Sequence, residues 1–514
     1  MRRHVAIPLL VVCGLLAWQG PARAVDRTVG ADVPKPTASG APWTDHEVAA
    51  LGANLDLTLM GAAALHGAHV GVEAVDARDG HVLYARGEDA AFPPASTLKL
   101  LVGSVALEKL GPEFRFTTDA LADGEVAGGV LQGTLVLRAG GDPFLRAADF
   151  DDLAAQLAAQ GVHAIRDGVA FDLGRYEPPG YGRGWAWDDA PYAFQPVVGA
   201  LAFEENVLHL TVTPGTLAGA PATITSAPID ALAAPNDPCT FSAAPSVVTA
   251  AATDVAGAKD TLDLERTPLG CTRVVGSIAL DAKPEALDVA VPFPTTYAAL
   301  ALREALRRHE ITVGMGSSDA QAVPLERAAP ASASVLWSHR SEPLGEIVAD
   351  MWMPSDNLVA EMLARELGVG APPAQGTLAR GIATETAWLR GLGVDTGAIA
   401  LADASGLSPY DRITPHDLVA ILEHDWDGPQ HDLVLDDLPI AGVRGTLASM
   451  DDDDVKGRVF AKTGTLTHVS TLAGYAATRQ HGTVIFALMI DDAVADGDAL
   501  RDVRVRFLSQ LVQS

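Results

Sequence analysis

The chain has 514 residues, of which 48% are hydrophobic, and this is enough apolar material for more than one packed domain. It carries 36 Lys and Arg against 65 Asp and Glu, for a formal net charge of -29. Such an acidic chain lacks the clustered cations that bind phosphates, which argues against a nucleic-acid partner and against docking to an anionic membrane surface.

The N-terminus has the pattern of a cleavable export signal. Basic residues at 2–4 precede an apolar stretch over 5–18, and Ala22 and Ala24 are the small residues that a signal peptidase requires. The apolar stretch is short for a membrane span, so an uncleaved anchor is the weaker alternative. We therefore predict a signal peptide over 1–24, cleavage after Ala24 and a periplasmic mature chain.

Two cysteines, Cys239 and Cys271, remain in the mature chain. In an oxidising compartment the simplest fate of an isolated pair is one disulfide. Two separate buried thiols are the alternative.

The first part of the mature chain predicts a leader, two strands and a helix. Residues 25–43 are rich in Pro, Gly and Ala and predict a flexible leader. Alternation of apolar and polar residues from Val70, with Asp79-Gly80 in between, predicts an antiparallel hairpin. Apolar residues at helical spacing then run up to Gly111, so Ser96 opens a buried helix and Lys99 lies one turn further on the same face.

The pattern of apolar residues and of residues typical of turns changes twice after this helix. Short strand-like runs separated by Gly, Pro, Asp and Asn predict a mostly β insert over 113–290, which contains both mature cysteines. Helical patterns return in 295–311, 346–368 and 414–424, followed by strands over 470–477 and 483–491 and a helix over 498–512. The fold class is therefore predicted as multi-domain α/β, with one domain made of 44–112 and 291–514 and interrupted by the insert.

Three short motifs occur in order along the chain: Ser96-Thr97-Leu98-Lys99, Ser355-Asp356-Asn357 and Lys462-Thr463-Gly464. Together they resemble the set used by penicillin-binding proteins and serine β-lactamases. Only seven lysines occur in the chain, so two of them in the right frames argue against coincidence.

The residue types suit acyl transfer to a serine. The helix N-terminus at Ser96 favours negative charge on an attacked carbonyl oxygen. Lys99 accepts the serine proton if burial and a second cation, Lys462, lower its pKa. Ser355 relays a proton to the leaving amine, and the Asn357 amide binds the substrate backbone.

The third motif is predicted to bind the substrate at the start of a strand. Lys462, Thr463 and Thr465 supply a positive charge and hydroxyl donors for a terminal carboxylate, and Gly464 belongs to the same substrate-binding segment. The backbone N–H groups of Ser96 and Thr465 form the predicted oxyanion hole.

Each of these residues has an ordinary structural alternative. Ser96 and Ser355 are also suitable helix N-caps, Lys99 a solvated helix charge, and Lys462 a surface lysine on an edge strand. The agreement of motif order, local structure and export favours the catalytic interpretation.

The spacing of the motifs separates related classes. The interval from Ser96 to Ser355 is more than twice that from Ser355 to Lys462, and no Glu-x-x-Leu-Asn occurs in the second interval. A compact β-lactamase has a short first interval and such a glutamate. A β-lactamase or esterase is therefore the nearest alternative, and a non-catalytic wall-binding protein is a more distant one.

The mature sequence resembles the class C low-molecular-mass penicillin-binding proteins, the D-alanyl-D-alanine carboxypeptidase/endopeptidase family. The segments that carry the resemblance, besides the three motifs, are 140–145, 182–194, 403–415, 438–447 and 461–475. The resemblance implies a β-lactamase/transpeptidase-like domain with two small domains inserted, peptidoglycan peptides as substrates and β-lactams as inhibitors. It also implies an acyl-enzyme on Ser96 that water resolves.

Further features of the sequence support predictions about acidic residues, Arg444 and metal binding. The resemblance implies an acidic residue near the substrate side chain, for which Asp189, or its neighbour Asp188, is the candidate and a solvated turn the alternative. Arg444 is predicted to face solvent, with a substrate contact as the alternative, and 451–454 to be a solvated acidic loop. The His spacing implies no metal, and we predict no cofactor and no particular oligomeric state.

Overall fold

The computed structural model describes residue 30 and residues 33–231, 246–268, 270–314, 325–370 and 374–514. The chain divides into two compact units. The first comprises Met1–Thr97, Gly397–Ala400 and Asp411–Ser514, and the second comprises Leu98–Thr396 and Leu401–Tyr410. The predicted signal peptide and Cys239 lie outside the described residues.

The α-helices of the described residues are numbered in chain order. They are α1 Asp45–Met60, α2 Lys99–Leu110, α3 Ala147–Ala159, α4 Pro294–Arg308, α5 Leu344–Trp352, α6 Asn357–Leu367, α7 Leu378–Gly391, α8 Pro415–Asp427, α9 His431–Asp437 and α10 Gly497–Gln513.

The strands are numbered in the same way. They are β1 His69–Asp76, β2 Val82–Arg86, β3 Thr117–Asp123, β4 Val126–Ala127, β5 Val130–Leu131, β6 Thr134–Arg138, β7 Ala164–Ile165, β8 Val169–Asp172, β9 Val207–Thr213, β10 Thr223–Ala227, β11 Val247–Thr249, β12 Ala252–Asp254, β13 Asp263–Arg266, β14 Thr272–Val275, β15 Ser277–Ala279, β16 Glu285–Ala290, β17 Thr312–Val313, β18 Leu325–Glu326, β19 Ser334–Arg340, β20 Val459–Leu466, β21 Val469–Ala477 and β22 Thr483–Asp491.

The first unit is built on a five-stranded antiparallel sheet in the order β2-β1-β22-β21-β20. Helix α8 packs against β1 and β22, while α1 and α10 pack against each other and α10 also contacts β21. Because helices contact this sheet closely, β21 and β22 are buried along nearly their whole length and read as continuous apolar runs rather than alternating ones. The antiparallel sheet with flanking helices confirms the predicted fold class.

The hairpin and the helix start that turn and cap residues predict in this unit are confirmed. Strands β1 and β2 form the predicted hairpin, and Gly80 takes the left-handed backbone that its turn requires, with φ 71°. Helix α8 begins with Pro415 after the N-cap Thr414, whose hydroxyl accepts a hydrogen bond from Asp417 N.

Residues 33–43 of the predicted leader contain neither helix nor strand. They are nevertheless tied to the first unit, because Lys35 forms ion pairs with Asp432 and Asp436 and the Trp43 ring stacks on His481 at 4.1 Å.

Helix α2 lies in the second unit and packs against α5, α6 and α7. It is the predicted buried helix, and it ends at Gly111, whose φ of 84° is the left-handed conformation expected of a helix terminator. A Cβ on Gly103 would lie 2.5 Å from the Trp352 ring, so the close packing of α2 on the end of α5 requires glycine at this position.

The predicted insert is mostly β in the structure. Its larger sheets have the orders β18-β8-β6-β3-β19 and β17-β7-β5-β4, and β9 pairs with β10 and β16. Strands β17, β18 and β19 follow residue 290 in the chain and complete the first two sheets. Helix α3 was not predicted from the sequence, although its apolar residues Phe150, Leu153 and Leu157 have helical spacing. The domain boundaries at 113 and 290 stay predictions.

The single helical stretch predicted over 346–368 is wrong in one respect. It is two helices, α5 and α6, because Pro354 lies between them and Ser355 after it has a φ of 71°, which cannot continue a right-handed helix. Ser355 and Asp356 of the second motif therefore lie between the helices, and Asn357 is the first residue of α6. Within the described residues, no helix is both long and apolar enough to cross a bilayer.

Glu385 on α7 makes the stability of the second unit sensitive to pH. Both of its buried carboxylate oxygens lack a hydrogen-bond partner among the described residues, and burial, reinforced by Glu361 and Asp403, raises its pKa to about 8. The folded chain retains this proton while the unfolded chain loses it near pH 4.5, so the free energy of unfolding falls as pH rises from about 4.5 to 8. We expect Glu385→Gln to reduce that fall by roughly 2–4 kcal/mol.

Urea unfolding at pH 5 and pH 8 measures this difference. Glu125→Gln, at an exposed position of the same unit, is the matched control and leaves the pH dependence unchanged. An equal pH dependence in wild type and Glu385→Gln would contradict the assignment.

Candidate active site

Ser96 lies in a tight turn that leads directly into α2. The turn is a 3₁₀ helix over Ala95–Leu98, and Ala95 before the serine has a left-handed φ of 47°. Ser96 is partly exposed while its neighbours Thr97 and Leu98 are buried. Ser96 is therefore partly exposed in a turn that runs directly into the buried helix α2, and the first residue of that helix is Lys99 rather than the predicted Ser96. Strained backbone of this kind is frequent at functional sites.

Strand β20 of the first unit passes very close to this turn at Gly464. A Cβ built on Gly464 would lie 2.1 Å from Thr471 Oγ1, 2.8 Å from Pro94 O and 2.9 Å from Ser96 N. Thr471 on β21 donates a hydrogen bond of 2.7 Å to the same Pro94 carbonyl. Only glycine permits this approach, which explains the glycine of the Lys-Thr-Gly motif.

Lys462 is fully buried in β20, and its amine donates to Thr463 O at 3.0 Å. It is the fourth of eight residues in the strand, so the prediction that it lies at the start of a strand is wrong. Strand β20 is an edge strand of the sheet, but burial excludes the alternative of a surface lysine. Thr463 Oγ1 donates to Thr446 Oγ1 at 2.8 Å, and Thr465 is exposed.

Lys99, the first residue of α2, is fully buried in the second unit, which excludes the alternative of a solvated helix charge. Its amine donates to Asn357 Oδ1 at 2.6 Å and to Ser405 O at 2.7 Å. Burial lowers the pKa of Lys99 to about 8, although the carboxylates of Asp403, Asp356 and Glu361 oppose the shift. At neutral pH roughly a tenth of the amines are therefore uncharged and able to accept a proton.

Asn357 opens α6, and both ends of its amide are held. Its Oδ1 accepts from Lys99 and its Nδ2 donates to Phe194 O at 2.7 Å. The N-cap of α6 is Asp356, whose carboxylate accepts from Val359 N at 2.9 Å, so the alternative of Ser355 as N-cap is wrong. Ser355 instead occupies the left-handed turn just before the cap.

Several buried polar groups around Lys99 were not predicted from the sequence. Glu361 Oε1 accepts from Ala404 N and Ser405 N, and its other oxygen pairs with Arg365 at 2.9 Å. These contacts orient the Ser405 carbonyl that binds Lys99. The signal was present in the sequence, because Asn357, Glu361 and Arg365 follow at intervals of four on one face of α6.

Asp403 belongs to the same buried group. Its carboxylate accepts hydrogen bonds from Trp185 Nε1 at 2.7 Å, Gly406 N at 2.7 Å and Ser408 N at 2.8 Å. Residues 403–408, part of a segment that carries the family resemblance, thus fold around a buried carboxylate.

The acidic residues singled out in the sequence, Asp188, Asp189 and the loop over 451–454, differ in their exposure. Asp189 is partly buried in a 3₁₀ turn over Trp187–Asp189, in the loop that leads to Phe194, and Asp188 is exposed. Burial, with Asp188 nearby, raises the pKa of Asp189. The predicted acidic loop over 451–454 is largely exposed.

The prediction that Arg444 faces solvent is wrong. Its side chain is 8% exposed, and its guanidinium donates to the carbonyl oxygens of Leu435, Asp436 and Leu438. Three backbone acceptors at the end of α9 thus bind the guanidinium group.

Cys271 is buried, whereas Cys239 lies outside the described residues, so their pairing stays a prediction. The part of the chain that the structure describes contains no group of three or more His, Cys, Asp or Glu that could hold a metal ion.

An antiparallel sheet flanked by helices, with Ser-x-x-Lys at the start of a helix and Lys-Thr-Gly on a strand, defines the penicillin-binding class of serine acyl-transfer enzymes. Residues 51–511 match the model of the D-Ala-D-Ala carboxypeptidase 3 (S13) family, and the chain belongs to this family. The predicted enzyme class, a serine-type D-Ala-D-Ala carboxypeptidase, is thereby confirmed.

Individual relatives are consistent with this family assignment. A D-alanyl-D-alanine carboxypeptidase from an Actinomadura species is 33% identical over 432 residues, which cover 80% of this chain and 76% of the relative. The crystal structure of penicillin binding protein 4 from Haemophilus influenzae is similar with a TM-score of 0.74 and 25% identity, covering 89% of this chain and 98% of that one. A second structure of that protein, complexed with a β-lactam, has a TM-score of 0.68 and 23% identity, covering 90% and 99%.

Proposed function

We propose that this carboxypeptidase works through an acyl-enzyme on Ser96, with Lys99 as the base that activates it. The observation that carries the proposal is the buried Lys99 amine. It has a pKa lowered to about 8, it is held by Asn357, and it begins the helix into which the Ser96 turn leads. A base whose pKa lies near the working pH is the most effective one.

In the acylation step, Ser96 Oγ attacks the carbonyl carbon of the bond between two D-alanines. The hydroxyl proton passes to the neutral Lys99 amine, and the carbonyl oxygen becomes an oxyanion that the N–H groups of Ser96 and Thr465 stabilise. When the C–N bond breaks, the leaving amine takes a proton relayed by Ser355, and D-alanine departs. Water then attacks the ester and frees the shortened peptide and Ser96.

The proposed substrate-binding roles follow from the chemistry of the residues in the second and third motifs and of Asp189. Lys462 supplies positive charge and Thr463 and Thr465 supply hydroxyl donors for the terminal carboxylate. Asn357 binds the peptide backbone, and Asp189 faces a cationic substrate side chain. We propose the same chemistry for the D-Ala to diaminopimelate cross-link, which makes endopeptidase activity a second reaction of this site.

We also propose that the chain is exported to the periplasm, is cleaved after Ala24 and forms a Cys239–Cys271 disulfide. N-terminal sequencing that begins at Val25 and the absence of free thiols in the unreduced, denatured mature protein support these proposals. Two free thiols in that protein would contradict the disulfide.

Incubation of the mature protein with benzylpenicillin tests the catalytic proposal. A β-lactam acylates the serine but its leaving nitrogen stays tethered, so we expect a long-lived adduct in the intact mass that Ser96→Ala abolishes. Ser104→Ala is the matched control, because Ser104 lies on the helix that follows the Ser96 turn and its hydroxyl donates a hydrogen bond to Leu100 O. This control retains the adduct.

Two other outcomes decide between the alternatives. Rapid hydrolysis of the penicillin without an accumulated adduct favours the β-lactamase alternative. An adduct that persists in Ser96→Ala contradicts the assignment of the nucleophile, and no adduct in wild type contradicts the proposal as a whole.

A further inference from the structure

The loop over 182–194 is attached to two buried polar groups of the second unit. Its half-buried Trp185 donates from Nε1 to Asp403 Oδ2 at 2.7 Å, although Asp403 lies 218 residues further along the chain. Near the other end of the loop, the Phe194 carbonyl oxygen accepts from Asn357 Nδ2 at 2.7 Å. Both of these polar groups lead to the amine of the proposed catalytic base.

Asp403 organises the turn whose backbone carbonyl binds this amine. Three donors of the turn itself bind the carboxylate: Ser405 Oγ at 3.0 Å, Gly406 N at 2.7 Å and Ser408 N at 2.8 Å. The carbonyl oxygen of Ser405 accepts from Lys99 Nζ at 2.7 Å. The place of the Asp403 carboxylate therefore determines where an acceptor of the lysine amine lies.

Trp185 attaches this turn to a distant part of the chain. The loop lies directly on the turn, because a Cβ on Gly184 would lie 2.6 Å from the Tyr410 ring and 2.9 Å from Ser408 Oγ. Both oxygens of Asp403 accept hydrogen bonds, as an ionised carboxylate does, and a bond to an ionised acceptor is stronger than one between neutral groups. The indole N–H thus holds the turn against the loop.

The other end of the loop holds a second acceptor of the same amine. Asn357 Oδ1 accepts from Lys99 Nζ at 2.6 Å, while its Nδ2 donates to the Phe194 carbonyl. Gln195, which is 2% exposed, donates from Nε2 to Ala186 O at 2.6 Å and so joins the two ends of the loop. One loop therefore carries anchors for two acceptors of the lysine amine.

We infer that Trp185 is a positioning residue for acylation, which holds the turn over 403–408 and with it the Ser405 carbonyl that binds the Lys99 amine. The inference rests on the proposed role of Lys99 as the base. Trp185 acts through Asp403, so loss of its N–H releases the turn. The amine then spends less time in the position from which it accepts the serine proton.

Trp185→Phe tests the inference, because it keeps an aromatic ring and removes the N–H. Acylation by benzylpenicillin, followed by rapid quenching and intact mass, gives the rate constant at saturation and the concentration that gives half of it. We expect the saturating rate constant to fall about tenfold and the half-saturating concentration to change by less than about twofold, because the place of the base affects the chemical step rather than drug binding.

A second variant separates the hydrogen bond from packing. Benzothienylalanine, a tryptophan analogue with sulfur in place of the indole N–H, has nearly the same shape and is incorporated at position 185 alone. It should lower the saturating rate constant as Trp185→Phe does, while the melting temperature falls by no more than about 4 °C. A purely structural role would instead lower the melting temperature and the fraction of protein acylated at the end point, and leave the rate constant of the acylated fraction unchanged.

Trp388→Phe is the matched control. Trp388 lies on α7 of the same unit and also donates from Nε1 to a carboxylate oxygen, Glu108 Oε2, at 2.7 Å. Glu108 lies in the last turn of α2, whereas Lys99 is the first residue of that helix. The same kind of bond is lost far from the amine, so the saturating rate constant should stay within about twofold of wild type.

An unchanged saturating rate constant in both Trp185 variants would overturn the inference and leave the proposed function intact. A change in the half-saturating concentration alone would also overturn it, since Trp185 would then act on drug binding. An equal fall in Trp388→Phe would do the same, because the effect would not depend on the Asp403 turn. Absence of acylation in wild type would overturn the proposed function and the inference together.

Discussion

Replacing Lys99 by methionine should lower the rate constant for acylation by benzylpenicillin by at least about 10³-fold. Methionine has a similar length and suits a buried position, so the packing of α2 is retained while the amine is lost. The serine proton then has no acceptor, and Asn357 Oδ1 and Ser405 O lose the donor that they share. The residual rate should no longer rise tenfold per pH unit below about pH 8, where Lys99 titrates.

Lys109→Met is the matched control. Lys109 lies in the last turn of the same helix, is exposed and pairs with Glu108, so its replacement should change the acylation rate by less than about twofold. A Lys99→Met variant that keeps the wild-type melting temperature but acylates at the wild-type rate would contradict the role of Lys99 as base.

Gly464→Ala should lower the acylation rate by about 10²-fold, although alanine brings no charge and only one methyl group. The new methyl would overlap Thr471 Oγ1 and press on Pro94 O and Ser96 N, at 2.1, 2.8 and 2.9 Å. Two of these three atoms belong to the backbone of the catalytic turn, so strand or turn must shift. The Ser96 N–H, part of the proposed oxyanion hole, then loses its alignment with the developing charge.

Gly497→Ala is the control for this variant, because a Cβ on Gly497 at the start of α10 meets no atom within 4 Å. We expect it to acylate like wild type. Stopped-flow acylation rates, compared with melting temperatures, separate a loss of acylation from a loss of stability. A Gly464→Ala variant with an unchanged rate would show that the close approach of β20 to Ser96 is not needed for acylation.

The sequence predicted the elements that depend on local signals. The hairpin at Gly80, the buried helix that ends at Gly111, the N1 proline of α8 and the two last strands all follow from periodicity and from turn or cap residues. The prediction failed between α5 and α6, where a continuous helical spacing of apolar residues outweighed the local break signal of Pro354. Ser355 after this proline has a left-handed backbone, which the sequence does not indicate for a serine.

The sequence by itself determined the order of the three motifs, the residues they contain and the class of chemistry that a Ser, two Lys and an Asn allow. Only the tertiary structure decided the pKa values and the hydrogen-bond partners of these groups, because both depend on segments that are distant along the chain. The Lys99 amine is desolvated by helices packed around α2 and bound by the Ser405 carbonyl, far along the chain. Arg444 is predicted from the sequence to face solvent, yet it is buried and its guanidinium donates to backbone carbonyls at the end of α9. Burial and charge pairing of this kind are properties of the packed chain, and no local pattern records them.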